Sequence, residues 1–292
     1  MSSTRIADRR VDAKGTPVAA RLLALAGLIL GLVLLAPATL GAEPIRAGGT
    51  GAASRTIALL AEAYQRRTPG AQIVILPSIG SRGAKKGVIS GDLDVGFSAE
   101  PPSPAEAEQG LAALEYARTA LVFATAEGAT RAMTSQALIE AYAGKLARWP
   151  DGRRLRLILR PMGDSDNGVL RNISPLFREA VEAALQRDGM LIAATDQEAA
   201  DAIASVPGAL GTTTLALIVA EKRPLTPLAL DGVTPSMKTI ASGAYPHTKT
   251  IYVITRHQEA RPAVAGFARF LQTPEARAIV AGTGFLPLPA RP

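Results

Sequence analysis

The sequence predicts an α/β fold, because short apolar runs alternate with amphipathic helical stretches along most of its 292 residues. Two further observations narrow the architecture. The chain beyond residue 42 is long enough for one large domain or for two lobes of ordinary size. It contains no internal repeat and no low-complexity linker that would separate consecutive domains. We therefore expect interleaved lobes built on largely parallel sheets.

Residues 1–42 have the order of a secretory signal peptide. Basic residues from Arg5 to Arg21 precede an apolar run from Leu22 to Ala36, and a small-residue stretch ends at Ala42. The apolar run is shorter than the roughly 20 residues that a bilayer-spanning helix needs. The sequence thus predicts cleavage near Ala42-Glu43 and a periplasmic location. The alternative is an uncleaved N-terminal membrane anchor, because the polar leader is longer than usual.

The composition excludes several kinds of site. The chain has no cysteine, so it can form neither a disulfide nor a thiolate metal site, and it offers no cysteine for a lipid anchor. Part of the net charge of +7 lies in residues 1–42, and the basic pairs of the remaining chain lack interleaved aromatic residues. We therefore predict no nucleic-acid partner. The chain has two histidines and no HExxH pattern, so we also predict no metal and no other cofactor.

The secondary-structure elements follow from hydrophobic periodicity and from helix-start signals. The predicted strands cover residues 73–76, 95–97, 120–123, 155–159 and 251–254. A helix over 56–67 is predicted by Ile57, Leu60 and Tyr64, which recur at helical spacing. Further helices are predicted over 175–187, from Pro262, and from Thr273 to Gly282.

Three glycine-containing loops share one chemistry. They are residues 48–54, 78–83 and 163–168, and each combines glycine with hydroxyl or amide side chains just before a predicted helix. The first N–H groups of a helix are free and its dipole is positive at that end, so each loop is suited to an anion. The alternative interpretation of each loop is an ordinary strand-to-helix turn. Three such loops converging on one cleft favour a ligand site.

Arg160 closes the alternating run 154–160, directly before the third glycine loop. Strand ends that face a crevice are where α/β proteins bind ligands, and a guanidinium group can clamp an oxyanion with two hydrogen bonds. This position predicts a contact with an anion. The alternative is a surface arginine on a basic edge strand.

Catalysis and dinucleotide binding are both disfavoured. Residues 163–167 imitate a nucleophile elbow but place Asn167 where the final glycine should stand, and only His247 and His257 offer an imidazole base. The loop at 48–54 has Ser54 at the third glycine position of the dinucleotide fingerprint, and no acidic residue ends the following strand. We therefore predict that the protein is not an enzyme.

Taken together, these motifs resemble the phosphate-binding receptors of ABC transporters, within the class II periplasmic binding proteins. The resemblance rests on the segments 48–51, 78–83, 91–98, Arg160 before the Ser165 loop, 207–211, 243–246 and 284–287. It implies an α/β fold of two lobes with the ligand cleft between them. Lobe 1 would comprise 43–122 and 249–292, lobe 2 would comprise 123–248, and the chain would cross between lobes near 121–123 and 251–253.

The resemblance also implies a function. The protein would be a monomeric periplasmic substrate-binding protein that binds a small phosphate-like oxyanion and passes it to an ABC transporter permease in the inner membrane. A periplasmic ligand-sensing receptor is the alternative role. The predicted ligand-binding residues are Thr50, Gly51, Gly80, Ser81, Arg82, Ser98, Arg160, Ser165, Asn167 and Gly168.

Two departures from the family pattern concern the ligand. The family has a carboxylate directly after the serine that matches Ser98, whereas this chain has Ala99 followed by Glu100. Asp164 and Asp166 flank Ser165, and one like-charge contact with an anion costs roughly 4 kcal/mol at about 4 Å and an effective dielectric near 20. Either these aspartates cap the helix, or the ligand is a small organic anion or a solute with an amine or hydroxyl donor.

Overall fold

The computed structural model describes residues 43–126, 131–258 and 261–289. The predicted signal segment, 1–42, lies outside this part. Among the described residues, no helix has the length and apolar character required to span a bilayer.

The first half of the chain forms strands that alternate with helices. The elements are β1 (Ile45–Gly49), a 3₁₀ turn (Gly51–Ala53), α1 (Ser54–Arg67), β2 (Ile73–Ile75), α2 (Gly80–Ser90), β3 (Val95–Ser98), α3 (Pro104–Glu108), β4 (Leu111–Ala126), β5 (Ala132–Met133) and α4 (Ser135–Tyr142). The predicted helix over 56–67 therefore begins two residues earlier, and the predicted strand over 120–123 is part of a much longer one.

The second half continues the alternation. Its elements are β6 (Arg156–Leu159), α5 (Ser165–Arg171), α6 (Pro175–Gln186), β7 (Leu191–Ile192), α7 (Asp196–Ser205), β8 (Ala209–Thr214), α8 (Leu215–Glu221), β9 (Leu225–Pro227), β10 (Ala229–Leu230), α9 (Met237–Ala241), β11 (Thr248–Arg256), α10 (Pro262–Leu271), α11 (Pro274–Gly282) and β12 (Leu286–Pro287).

The main sheet has the strand order β2-β1-β3-β11-β4-β8-β6-β7, with β9 and β12 also paired to β4. Its two ends are parallel, since β1 pairs in parallel with β2 and β3, and β6 with β7 and β8. Its middle is antiparallel, because β11 pairs with β3 and β4, and β4 pairs with β8. The prediction of largely parallel sheets is thus wrong for the centre, where the two longest strands run in opposite directions.

Two large hydrophobic cores and a smaller cluster that includes Val88 and Ile254 lie on this framework, which is a two-lobed α/β fold as predicted. One core contains Tyr64 packed against Phe267 at a ring distance of 5.3 Å, and the other contains Tyr142 packed against Phe177 at 5.1 Å. Buried residues of the second core fall within 120–245, whereas those of the first come from 45–117 and 251–285, together with Ala216. The predicted lobe boundaries at 122/123 and 248/249 stay predictions.

Gly49 allows the end of β1 to lie unusually close to the backbone of β3. It ends β1 with a φ of 149°, and a Cβ at this position would lie 2.8 Å from the carbonyl carbon of Phe97 on β3. Only glycine permits this close approach. The next residue, Thr50, then donates its backbone N–H to Phe97 O at 2.9 Å, which fixes where the chain leaves the sheet.

Candidate functional site

A cavity of about 350 Å³ lies beyond the carboxyl ends of two sets of parallel strands, β1 to β3 in one set and β6 and β7 in the other. Its lining residues are Thr50 after β1, Ser78 to Arg82 after β2, Glu100 after β3, Arg160, Pro161 and Gly163 to Ser165 after β6, and Ala194 to Asp196 after β7. Segments associated with both cores contribute. This is the position where α/β sheets bind ligands, because backbone ends, helix starts and side chains converge there.

Arg160 is the buried cation of the cavity, with a side chain that is 3% exposed. Its Nη1 donates to the carbonyl oxygen of Ala193 at 2.9 Å, and its Nη2 donates to Asp164 Oδ2 at 2.8 Å. Its Nε–H is buried and has no acceptor among the described residues. The interpretation of Arg160 as a surface arginine is therefore wrong, because the strand end turns the side chain inward.

Five residues with hydroxyl side chains line the cavity with Arg160, and three of them, Thr50, Ser81 and Ser165, are predicted ligand-binding residues. Ser81 Oγ accepts the backbone N–H of Ala99 at 2.9 Å, so its own proton remains available for donation. The hydroxyls of Thr50 and Ser165 make no hydrogen bond within the described part of the chain. Thr50 directly follows β1, and Ser165 is the first residue of α5. These groups supply hydrogen-bond donors to the cavity.

Gly80 and Arg82 also line the cavity, at the first turn of α2. Gly80 has a φ of 70°, a conformation that glycine adopts without strain. Arg82 is exposed, and its guanidinium covers Gly163, where an added Cβ would lie 2.6 Å from the Arg82 Cζ atom. The α2 side of the cavity and the Ser165 loop therefore meet through Arg82.

The two aspartates beside Ser165 have different surroundings. Asp164 lines the cavity, but its Oδ1 caps α5 by accepting the N–H of Asp166 at 2.8 Å, and its Oδ2 pairs with Arg160. Asp166 lies beneath the cavity wall, 2.5 Å from Lys249 Nζ, and accepts the Thr212 hydroxyl at 2.7 Å. Helix capping thus accounts for Asp164, whereas an ion pair accounts for Asp166.

The buried charges below the cavity stabilise one another. Burial alone would raise the pKa of Asp166, but the nearby cations Lys249 and Arg160 lower that pKa below its ordinary value. Burial lowers the pKa of Arg160, but the carboxylates of Asp196, Asp164 and Asp166 raise the pKa above its ordinary value overall. Arg160 and Lys249 are therefore charged at neutral pH.

Four predicted ligand-binding residues do not line this cavity. Gly51 accepts the side-chain amide of Gln197 through its carbonyl oxygen at 3.0 Å. The Ser98 hydroxyl donates to Glu100 O at 2.6 Å, and Asn167 Nδ2 donates to Pro161 O at 2.7 Å, so both shape the adjoining loops. Gly168 is exposed on α5. Contact of these four residues with a ligand stays a prediction, and the structure gives the first three positioning roles.

Sequence reasoning missed two charged residues at this site: Asp196, which lines the cavity, and Lys249, which pairs with Asp166 outside the lining. Asp196 opens α7 after the Thr195 cap, in a strand-to-helix turn that has no glycine and so escaped the search for glycine loops. Lys249 is in phase with Ile251 and Val253 along β11, a period-two pattern that indicates an inward side chain. Both signals were present in the sequence.

The structure does not place an imidazole at the cavity, since neither His247 nor His257 is among its lining residues. Among the described residues, no group of three or more histidine, cysteine, aspartate or glutamate side chains is arranged to hold a metal ion. The arrangement of an arginine, hydroxyls and helix starts is suited to binding an anion by hydrogen bonds.

Comparison with known proteins identifies the family. The model of the PBP superfamily domain matches residues 35–275. No curated protein sequence matches the chain.

Solved structures share the fold at low sequence identity. A putative phosphate ABC transporter substrate-binding protein with bound phosphate from Clostridium perfringens is 17% identical, with a TM-score of 0.73, covering 84% of this chain and 100% of that one. An ABC-type phosphate transport receptor from Vibrio cholerae is 14% identical, with a TM-score of 0.61, covering 83% and 99%. The periplasmic molybdate-binding protein of Azotobacter vinelandii is 19% identical, with a TM-score of 0.60, covering 84% and 100%. At these identities the likeness establishes the fold.

Proposed function

The chain belongs to the PBP superfamily, and we propose that it is an exported substrate-binding protein that captures a small phosphate-like oxyanion for an ABC transporter. The two lobes would close on the ligand and present the closed form to a permease in the inner membrane. The similar proteins include receptors described as binding phosphate and molybdate, both tetrahedral oxyanions.

One observation carries the proposal: buried Arg160 and the hydroxyls of Thr50, Ser81 and Ser165 line one cavity at the strand ends. A desolvated oxyanion needs several donors and at least one cation, because its lost hydration must be replaced by hydrogen bonds. The buried Nε–H of Arg160, which has no acceptor among the described residues, is one such donor.

A solute with an amine or hydroxyl donor is the second candidate ligand. The observation that favours it is the set of carboxylates in the cavity wall, namely Glu100, Asp164 and Asp196. Asp164 is compensated by Arg160 and by its capping bond, and Glu100 lies 3.8 Å from Lys85 Nζ. These partners reduce the repulsion that an oxyanion would meet, which is why the oxyanion is our first candidate.

The ligand class can be tested with a thermal-shift panel of phosphate, sulfate, molybdate, small carboxylates and amino acids. A ligand that binds only the folded protein raises the apparent melting temperature. We expect the largest shift from a tetrahedral oxyanion. Shifts confined to amine-bearing solutes would refute the oxyanion proposal and support the second candidate.

The role of Arg160 can be tested by calorimetry with the oxyanion that gives the largest shift. Arg160→Ala should lose about 2–5 kcal/mol of binding free energy. The variant removes the cation that would contact the ligand, and it also leaves the neighbouring buried carboxylates without that cation. Arg153→Ala is the matched control, since Arg153 pairs with Asp151 on an exposed surface. Equal affinities of the two variants would contradict the assignment. Far-UV circular dichroism would establish that both variants are folded.

Export is tested by expressing the full chain with a C-terminal tag and sequencing the N-terminus of the recovered protein. We expect a new terminus close to Glu43 in the periplasmic fraction, because the apolar run and small residues before it match a signal peptide. Recovery of an intact N-terminus in the membrane fraction would instead support an anchor.

A further inference from the structure

Asp196 is a buried carboxyl group that faces the cavity without a hydrogen-bond donor. Its side chain is 7% exposed, and the described residues supply no hydrogen bond to either of its oxygens. Arg160 Nη2 lies 3.8 Å away, beyond hydrogen-bond distance, and already donates to Asp164 at 2.8 Å. Asp196 therefore differs from Asp164 and Asp166, whose oxygens all have partners.

The lobes enclose Asp196 from the opposite side as well. An added Cβ on Gly51 would lie 2.9 Å from Asp196 Cβ and 2.7 Å from its Oδ2, so the carboxyl group is in close contact with the 3₁₀ turn after β1. That turn presents backbone to the carboxyl group and no charged side chain. Asp196 also lines the cavity.

The buried cations near Asp196 each make a closer contact with another carboxylate. The charged groups on the surrounding elements are Arg160 after β6, Asp164 at the N-cap of α5, Asp166 on α5, Lys249 on β11, Glu198 on α7, Glu221 on α8, and Arg82 and Glu100 across the cavity. Lys249 is bound to Asp166, and Arg160 to Asp164. Glu198 accepts the backbone N–H of Ala194, and Glu221 pairs with Arg223.

Burial and the neighbouring carboxylates make protonation of Asp196 easier than it is in water. Burial raises the pKa of Asp196 above its ordinary value; the charges of Lys249 and Arg160 oppose this rise, and those of Asp166 and Asp164 add to it. An oxyanion in the cavity would raise this pKa further, because it brings another negative charge close to the carboxyl group. A neutral carboxyl group gains an O–H donor, which an oxyanion can accept.

We propose that Asp196 holds a proton when the cavity is occupied and donates a hydrogen bond through it to the bound oxyanion. This inference rests on the proposed function and deepens it. Binding of a fully deprotonated oxyanion is then coupled to uptake of one proton by Asp196, which removes the repulsion between that carboxyl group and the ligand. The site would accept oxyanions that carry no proton of their own.

Molybdate and sulfate are suitable probes, because their charge does not change between about pH 6 and pH 9, whereas phosphate titrates in this range. Calorimetry in buffers of different ionisation enthalpy measures the protons bound with the ligand. We expect uptake approaching one proton per molybdate at pH values between the pKa of Asp196 in the free protein and its higher pKa in the complex. In the same range, affinity should fall about tenfold for each unit of rising pH, as linkage requires.

Asp196→Asn tests the residue itself, because an amide is neutral and can donate a hydrogen bond from the same place. We expect this variant to bind molybdate without proton uptake and with a pH-independent affinity at least equal to the wild-type value near pH 9. An infrared difference spectrum of the wild-type protein provides a test that needs no variant. Molybdate binding at a pH where protons are taken up should produce a protonated-carboxyl band, which is absent in Asp196→Asn.

The outcomes separate the two proposals. If wild-type protein binds an oxyanion without proton uptake, without a pH-dependent affinity and without a protonated-carboxyl band, the inference about Asp196 is wrong and the proposed function stands. The inference is also wrong if wild-type protein binds only phosphate and Asp196→Asn loses that binding, since the carboxylate then accepts a proton from the ligand. If no oxyanion binds at any pH, the proposed function fails and the inference fails with it.

Discussion

Replacing Lys249 with methionine removes the cation of a fully buried ion pair. Lys249 Nζ lies 2.5 Å from Asp166 Oδ1, and both side chains are 1% exposed. Without Lys249, the Asp166 carboxylate keeps the Thr212 hydroxyl as a donor but loses its adjacent cation. Because an uncompensated buried charge is costly, we expect the free energy of unfolding to fall by about 3–5 kcal/mol.

Urea unfolding at neutral pH measures this change through the midpoint and slope of the transition. Arg153→Met is the matched control, because Arg153 pairs with Asp151 at 2.7 Å while both side chains are nearly half exposed. It should leave the midpoint unchanged, since solvent screens an exposed pair. The double variant Lys249→Met/Asp166→Asn removes both charges and should recover much of the lost stability.

The pH dependence follows from the pKa of Asp166. This pKa is lowered in the folded protein, against the effect of burial, by Lys249 and Arg160, so the carboxylate contributes stability above its unfolded pKa of about 3.9. That contribution is lost as pH falls through the folded pKa. The difference between wild type and Lys249→Met should therefore shrink in acid. A midpoint shift no larger than that of Arg153→Met, or a difference that does not shrink, would refute the reasoning.

Two further variants test the boundary of the cavity, with affinity measured by calorimetry for the oxyanion that binds wild type. Gly51→Ala should weaken binding about tenfold or more, because its Cβ would lie 2.5 Å from Gln197 Oε1. Gly168→Ala is the control: its Cβ would have no heavy atom within 4 Å, so this variant should retain affinity. If Gly168→Ala instead weakened binding more than Gly51→Ala, the result would support a ligand contact at Gly168. Ser165→Ala should lose about 1 kcal/mol of binding free energy with its hydroxyl donor, while Ser205→Ala, whose hydroxyl bonds to Asp201 O, should bind as wild type does. Unchanged affinity of Ser165→Ala would remove this hydroxyl from the ligand contacts.

The family and the order of most elements are accessible from the sequence because they depend on local patterns. Helical spacing in the segment from Ile57 to Tyr64 and the proline starts at Pro175, Pro262 and Pro274 locate helices within about two residues. The antiparallel centre of the sheet was not accessible. It depends on pairing between β4 and β11, which are more than 100 residues apart along the chain, and strand periodicity is the same in either direction.

The candidate site divides in the same way. The sequence by itself determined that glycine, hydroxyl and arginine groups follow strand ends, which is sufficient to nominate Thr50, Ser81, Arg160 and Ser165, all of which line the cavity. Only the tertiary structure decided which charges are compensated. Asp166 is 83 residues from its partner Lys249, whereas Asp196 has Arg160 Nη2 at 3.8 Å, a cation that makes a closer contact with Asp164. Charge compensation depends on distance and burial in three dimensions, and residue order along the chain does not specify either quantity.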